Sequence, residues 1–255
     1  MFVIIGVVVV FAALIGGFIL AGGNIATLLM IPEYIIIIGV AIGSLLIANP
    51  LPVLKRVLNG IIGTMKGQKT KPADYIDLLK MMYEVFQFAK REGLIALEQH
   101  VESPESSTIL TKYPSFLANK HAVEFFTDTL KVILSGGIPA NDLEDLMDKD
   151  IEAKEQEEEI PPSSLQTMAD AFPGLGIVAA VMGIIITMGA ISQGAESVGH
   201  HVASALVGTF LGVLMSYGVV GPLASSMQKI SMKEGKYLQA LKAGLLAFAK
   251  GLPAS

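Results

Sequence analysis

The chain has 255 residues, 52% of them hydrophobic, with a formal net charge of −5 and a mean hydropathy of +0.61. That hydropathy, carried by four long apolar runs, excludes a set of core helices in a soluble protein. The absence of cysteine excludes a disulfide framework and thiolate metal sites, and the acidic balance excludes a nucleic-acid partner.

All eighteen Lys and Arg residues lie between Lys55 and Lys154 or between Lys229 and Lys250, so residues 1–54 and 155–228 hold none. Cations stay on the cytoplasmic side because carrying them across a bilayer is costly. Each cation-free stretch therefore has to cross an even number of times. The first divides into Phe2–Leu20 and Ile31–Ala48, around Ala21-Gly22-Gly23-Asn24 and Pro32-Glu33. A run of this length reaches about 28 Å as a helix, close to the hydrocarbon thickness of a membrane. No positively charged region precedes the first run, so a retained span is expected and not a cleaved secretory signal.

Residues 50–165 carry thirteen basic and nineteen acidic groups and read as helical throughout. In Ala73–Arg91 the residues Tyr75, Leu78, Leu79, Met82, Val85, Phe86 and Ala89 recur at three-to-four spacing, which marks an amphipathic helix. His121–Leu134 repeats the pattern and is expected to stop at Gly136-Gly137. After Pro139, Asn141 with Glu144 reads as a capping box, opening a helix that runs into the acidic stretch Glu155–Glu159. Pro161-Pro162 should then break the chain. No alternating Val/Ile/Thr pattern predicts a sheet.

The second cation-free stretch divides into Ala171–Ile191 and Val202–Leu223, around the polar Ser192–Ser197, and residues 229–255 follow with five Lys against Glu234. The expected fold is all-α: a polytopic membrane protein with four transmembrane helices and a helical cytoplasmic domain. The divisions are 1–49 for the first two spans, 50–165 for the cytoplasmic domain, 166–228 for the last two spans and 229–255 for a cytoplasmic C-terminal helix. A bacterial inner membrane with both termini in the cytoplasm fits this map.

Small residues recur at four-residue spacing in the spans, as Ala13/Gly17, Gly39/Gly43, Ala179/Gly183 and Gly208/Gly212, where they let helices approach closely in lipid. No titratable group is expected in mid-membrane. Asp170 opens span three, Glu33 and Glu196 fall at the outer surface, and the adjacent His200 and His201 point to different helix faces, unsuited to a shared metal. An ion-moving role would therefore require a partner to supply the acid. Enzyme chemistry finds no support: Gly174-Leu175-Gly176 follows no strand, and no Ser/His/Asp constellation or metal-ligand spacing occurs.

Gly16–Gly23, Arg91-Glu92-Gly93-Leu94 with Leu97-Glu98, Phe172-Pro173-Gly174-Leu175-Gly176-Ile177-Val178-Ala179-Ala180-Val181-Met182-Gly183, and Val207-Gly208-Thr209-Phe210-Leu211-Gly212 with Gly221-Pro222-Leu223 resemble the MotA family of flagellar stator subunits, along the whole chain. The resemblance implies a five-copy ring in membrane lipid around two copies of MotB, a single-span peptidoglycan-binding partner whose membrane Asp accepts the ion. It implies a contact with the rotor protein FliG through Lys90, Arg91, Glu98 and Asp150. Pro173 and Pro222 match the family's two functional prolines. Sodium-driven relatives have Thr at the position of Ala180, so the resemblance implies proton drive, with Thr209 as the remaining polar group near the path and no cofactor beyond the translocated ion. Asp170 is either an acid of the proton path or an anion favoured by the helix dipole. The alternative is a TolQ/ExbB-type proton-channel subunit that energises envelope machinery, but such subunits have three spans where the cation map demands four.

The cation map generates a labelling prediction. Single-cysteine variants at Asn24 and Ser197 are expected to react with an impermeant thiol reagent outside intact spheroplasts, while variants at Gln68 and Lys236 are not. Outside labelling at position 68 would overturn the four-span arrangement.

Overall fold

The computed structural model describes residues 2–67, 71–136, 138–189 and 191–252, without the side chain of Gln193. Gln68 and Gly137, the latter half of the expected Gly136-Gly137 stop, lie outside the described residues. Among these residues there is no strand. In chain order the helices are α1 (Phe2–Leu20), α2 (Ile25–Leu28), α3 (Ile31–Ala48), α4 (Leu51–Lys66), α5 (Pro72–Glu92), α6 (Glu98–Glu102), α7 (Pro114–Ala118), α8 (Lys120–Ser135), α9 (Ala140–Gly189), α10 (Ala195–Val213) and α11 (Gly221–Ala249). A π-helical segment, Leu214–Val220, joins α10 to α11.

The chain divides into two compact units. One holds α1–α4, α9 from Glu158 onward, α10, the π segment and α11 up to Ile230. The other holds α5–α8, α9 up to Glu157 and α11 from Ser231.

The first unit contains the four stretches long and apolar enough to cross a membrane: Phe2–Leu20, Ile25–Ala48, and segments of Ala140–Gly189 and Ala195–Ala249. Its core is small, built from Ile37, Ala41, Leu165, Ala169, Phe172, Ala179, Leu211, Val220, Ala224 and Met227. Helix α1 buries no residue, and apolar side chains such as Val8, Val9, Ile185 and Ile186 face outward. An apolar exterior of this kind is stable in lipid, where the helix satisfies every backbone group internally.

The second unit packs α5, α8, the start of α9 and the end of α11 around Leu78, Met81, Val85, Phe116, Phe126, Leu130, Met147, Ile151, Leu241 and Leu245. The periodic residues of Ala73–Arg91 that enter this core are Leu78, Met82, Val85 and Ala89, while Leu79 is exposed. Glu84 ties α5 to the segment before α7 by accepting from Lys112 Nζ at 2.7 Å and from Tyr113 Oη at 2.9 Å. Those two bonds hold the Glu84 carboxyl below its usual range, and burial together with the Glu84 bond pushes the Tyr113 hydroxyl up to about 12. His100 is buried with Nδ1 2.9 Å from Ser107 Oγ. Because that oxygen already accepts from the backbone N–H groups of Ile109 and Leu110, its own proton goes to Nδ1, which leaves the His100 proton on Nε2.

Two expectations need correction. Pro161-Pro162 does not break the chain: α9 runs unbroken for 50 residues. Each proline removes one intrahelical bond, to Glu157 and Glu158 respectively. Both prolines are buried, and buried residues on the following turns, Leu165, Ala169 and Phe172, hold the helix in place. Asn141 is not a cap, because α9 starts at Ala140 and the Leu143 N–H already bonds Pro139 O at 3.0 Å. The Glu144 carboxylate instead meets Lys250 at 3.2 Å. The expected span Val202–Leu223 lies within a longer helical stretch, since the π segment and α11 carry the helix on to Ala249.

Candidate ion pathway

The membrane unit is organised by one antiparallel crossing, in which α9 and α10 approach backbone to backbone. A Cβ at Gly176 would sit 2.9 Å from Gly208 O and 3.2 Å from the Cα atoms of Thr209 and Gly212. One at Gly212 would sit 2.5 Å from Phe172 O, and one at Gly183 would sit 2.9 Å from Ala205 Cβ. A Cβ at Gly208 would come within 3.0 Å of Ala179 Cβ and 3.5 Å of Ala180 N. No larger side chain fits at these positions without parting the helices. Ala179/Gly183 and Gly208/Gly212 thus form one seam, with Gly176 and Ala205 added. The pairs in the first two spans do not join it: Gly17, Gly39 and Gly43 have no side-chain space contested within 4 Å in the single chain.

This crossing brings together two of the candidate residues. Ala180 lies one helical turn beyond Gly176, whose α-carbon faces Thr209, and both Ala180 and Thr209 are half-buried at the seam. Pro173 lies one turn to the other side. It has no N–H for the carbonyl of Ala169, and a Cβ at Gly221 would lie 3.9 Å from the Ala169 Cβ. Pro222 follows Gly221 directly, so both prolines belong to the same level of the unit. The π segment has a local cause there. Pro222 cannot donate to the carbonyl of Gly218, and the Gly221 N–H reaches back five residues to Ser216 O, a register that side chains at Gly221 would obstruct, with Ser216 O only 2.7 Å from its Cβ position. Single π turns inside helices are frequent at functional sites.

Asp170 is exposed and accepts from Gln166 Nε2 at 2.8 Å. It lines a polar cavity of about 470 Å³ together with Glu159, Ser163, Thr167 and Gln228. Water-sized space beside an acid at the base of the apolar part of α9 is what an ion leaving or entering the spans requires.

Glu33 departs from expectation. It was expected at the outer surface, yet it is 5% exposed, buried between α3 and α10. Its Oε1 accepts a hydrogen bond from Ser204 Oγ, and Oε2 is buried with no hydrogen-bond partner among the described residues. Its Cγ lies 3.5 Å from the Cβ position of Gly208. The depth follows from helix register. Ser164 Oγ donates to Asn49 Oδ1 at 2.8 Å, and sixteen residues separate Asn49 from Glu33 and Ser164 from Ala180 alike, about 24 Å along either helix. Glu33 is therefore level with the middle of the apolar part of α9. Its sequence signal was a lone acid inside the limits of the second apolar run; nothing in the sequence pairs it with Ser204.

The four candidate rotor residues belong to the second unit and are all exposed. Lys90 and Arg91 occupy the last turn of α5, Gly93 ends that helix at φ 90° with its N–H on Ala89 O at 2.9 Å, and Glu98 opens α6. Basic groups at a helix C-terminus and an acid at an N-terminus are each favoured by the helix dipole. Asp150 lies on α9, apart in sequence from that turn. Among the described residues none of the four makes an ion pair.

Comparison with known proteins places this geometry among relatives. Residues 4–93 match the model of the motility protein A N-terminal region, and residues 118–240 match that of the MotA/TolQ/ExbB proton channel family. Motility protein A of Escherichia coli (strain K12) is 36% identical over 251 residues, covering 98% of this chain and 85% of that protein. Chemotaxis protein LafT of Vibrio parahaemolyticus is 36% identical over 249 residues, covering 98% and 87%. Among solved structures, the flagellar MotAB stator complex from Bacillus subtilis matches with a TM-score of 0.79 at 26% identity, over 98% of this chain and 90% of that one. MotAB of C. jejuni matches in fold, with a TM-score of 0.81 at 18% identity, over 99% and 90%.

The seam predicts opposite outcomes for two neighbouring glycines. Gly176→Ala should destabilise the detergent-solubilised protein by about 1–3 kcal/mol, the usual range for overpacking, seen as a lower thermal midpoint. Gly174→Ala, which meets nothing within 4 Å, should leave the midpoint unchanged or raise it, since Ala favours the helix. Equal midpoints for the two variants would refute the seam.

Proposed function

The chain belongs to the MotA/TolQ/ExbB proton channel family, a family of membrane channel subunits and not of enzymes, and from that membership we propose that it is the ion-conducting stator subunit of a bacterial flagellar motor. The observation that carries the reading is the glycine seam, which sets Thr209 beside Gly176 and Ala180 beside Gly208, both half-buried at a close helix crossing. The match of residues 4–93 to the motility protein A N-terminal region supports a motor subunit over a TolQ/ExbB-type channel. In this proposal the chain lies in the inner membrane with both termini in the cytoplasm, and it forms a ring of five around two copies of a MotB-like single-span, peptidoglycan-binding subunit. The MotAB structures it resembles support a partner of that kind.

The division of labour follows from the chemistry. Residues 1–49 and 166–228 supply the spans, and residues 50–165 with the 229–255 helix supply the cytoplasmic part. Protons pass by way of Ala180 and Thr209 and exchange with the cytoplasm through the cavity beside Asp170. Ala180 favours a proton over sodium, because a methyl group offers no oxygen to replace the water a metal ion sheds. One charge crossing 100 mV releases about 2.3 kcal/mol, so torque requires many coupled steps. Pro173 and Pro222 lie where the backbone ladder already lacks bonds, and helix shifts there cost least. The exposed charges Lys90, Arg91, Glu98 and Asp150 face FliG, and no cofactor takes part beyond the ion.

Two measurements test the proposal. Swimming speed at fixed pH should be independent of external sodium and should collapse when a protonophore dissipates the proton gradient; speed that tracks sodium would refute proton drive. Exposed charges contribute only about 0–1 kcal/mol each, so single neutralisations should slow swimming modestly. Reversal of Lys90, Arg91 and Glu98 together should abolish torque while membrane insertion persists, and reciprocal reversals on FliG should restore it. Full motility of the triple reversal with an unaltered rotor would remove this contact.

A further inference from the structure

Glu33 has no place in the scheme above, and its surroundings ask for one. The carboxyl is buried inside the membrane unit, level with Ala180, with Oε1 bonded by Ser204 and Oε2 open. No Lys or Arg occurs in residues 1–54 or 155–228, so the spans contain no such cation to pair with it. The titratable groups on the surrounding elements are few. Helices α1 and α2 and residues 171–189 of α9 contribute none. On α3, Tyr34 donates its hydroxyl to Leu28 O at 3.2 Å. On α10, Glu196, His200 and His201 precede Ser204, the two histidines four and three residues earlier and so on its side of the helix. The π segment adds Tyr217, which is exposed.

A buried carboxyl oxygen without a donor or a cation is costly to keep, and a fold retains such a group where it does something. We propose that Glu33 is a proton-binding site on the ion's route through this chain, with Ser204 as its positioning residue. A proton delivered from outside as hydronium binds Oε2, turning the carboxylate into the neutral acid and releasing water. It then passes to the next acceptor inward and restores the carboxylate, while Ser204 keeps its bond to Oε1. Sodium does not suit the site, because the neighbouring Gly208 and Ala179 offer no oxygen ligand from a side chain and Ser204 supplies one hydroxyl. Gly208 is what lets the acid stand beside the seam, since its Cβ position is 3.5 Å from both Glu33 Cγ and Ala180 N.

The inference rests on the proton-conducting reading, and infrared difference spectroscopy separates the two. The full chain, purified with its membrane partner, is titrated through acid pH, and proton uptake is measured in vesicles carrying the same complex. The wild type should develop a carboxylic C=O stretching band that Glu33→Gln removes and Ser204→Ala shifts. Proton uptake should fall on the order of tenfold or more in Glu33→Gln, with Glu33→Asp between it and the wild type. A Glu33→Gln complex that conducts like the wild type overturns the proposal. So does one that assembles and fails to conduct while the band is unchanged, because Glu33 would then be structural. A wild-type complex that shows the band but takes up no protons would refute the conducting reading and not the proton-binding group.

Discussion

In lipid, apolar burial gives no reason for one helix to prefer another, so association depends on how closely backbones can approach. That constraint is met here at the α9–α10 crossing, where Gly176, Gly183, Gly208 and Gly212 bring main-chain atoms into contact. Much of what is specific about the membrane unit follows from it. The missing side chain at Gly208 makes room for Glu33 of α3, the missing side chain at Gly176 exposes Thr209 to α9, and the missing side chain at Gly212 admits the Phe172 carbonyl one residue before Pro173. Helix α1 takes no part and buries no residue, leaving an apolar face for lipid or for a neighbouring subunit.

The two long helices tell a second story about backbone bonds. Proline removes a donor and clashes with the carbonyl four residues back, yet α9 contains three prolines and stays helical. Two of them follow immediately on the boundary between the units, at Glu157/Glu158. The third and Pro222 flank the same level of the membrane unit, where the chain adopts its π segment. Each site is a place where the hydrogen-bond ladder is already incomplete, and packing rather than the ladder maintains the helix. In the proposed function, these weak points leave room for small helix shifts beside the ion's route.

Charge is distributed by the same economy. Cations are confined to the segments outside the spans, and among the described residues the one acid buried within the spans, Glu33, is held by the Ser204 hydroxyl. The second unit, in contrast, uses charge as ordinary surface chemistry: Glu84 clamps Lys112 and Tyr113, Lys242 meets Asp148 at 2.6 Å, and Lys90, Arg91 and Glu98 stand exposed around the turn at Gly93. These exposed charges on a firm helical core are the surface the proposed rotor contact would use.

Hydropathy and the cation map determined the all-α class, the four apolar stretches and the positions of most helices, because helix period and the cost of charge in lipid are local properties that a sequence displays directly. The same local rules misjudged Pro161-Pro162 as a helix end, since proline's penalty is local while the packing that outweighs it is not. Gly176 and Gly208 were visible as small residues, but which glycines meet and which face open space is decided by the pairing of helices. The burial of Glu33 belongs wholly to tertiary structure. In sequence it is the third residue of an apolar run and reads as a surface acid; only the register of α3 against α9 and α10 buries it beside Ser204, level with Ala180, because burial in a bundle is set by how helices are staggered and not by distance from a helix end.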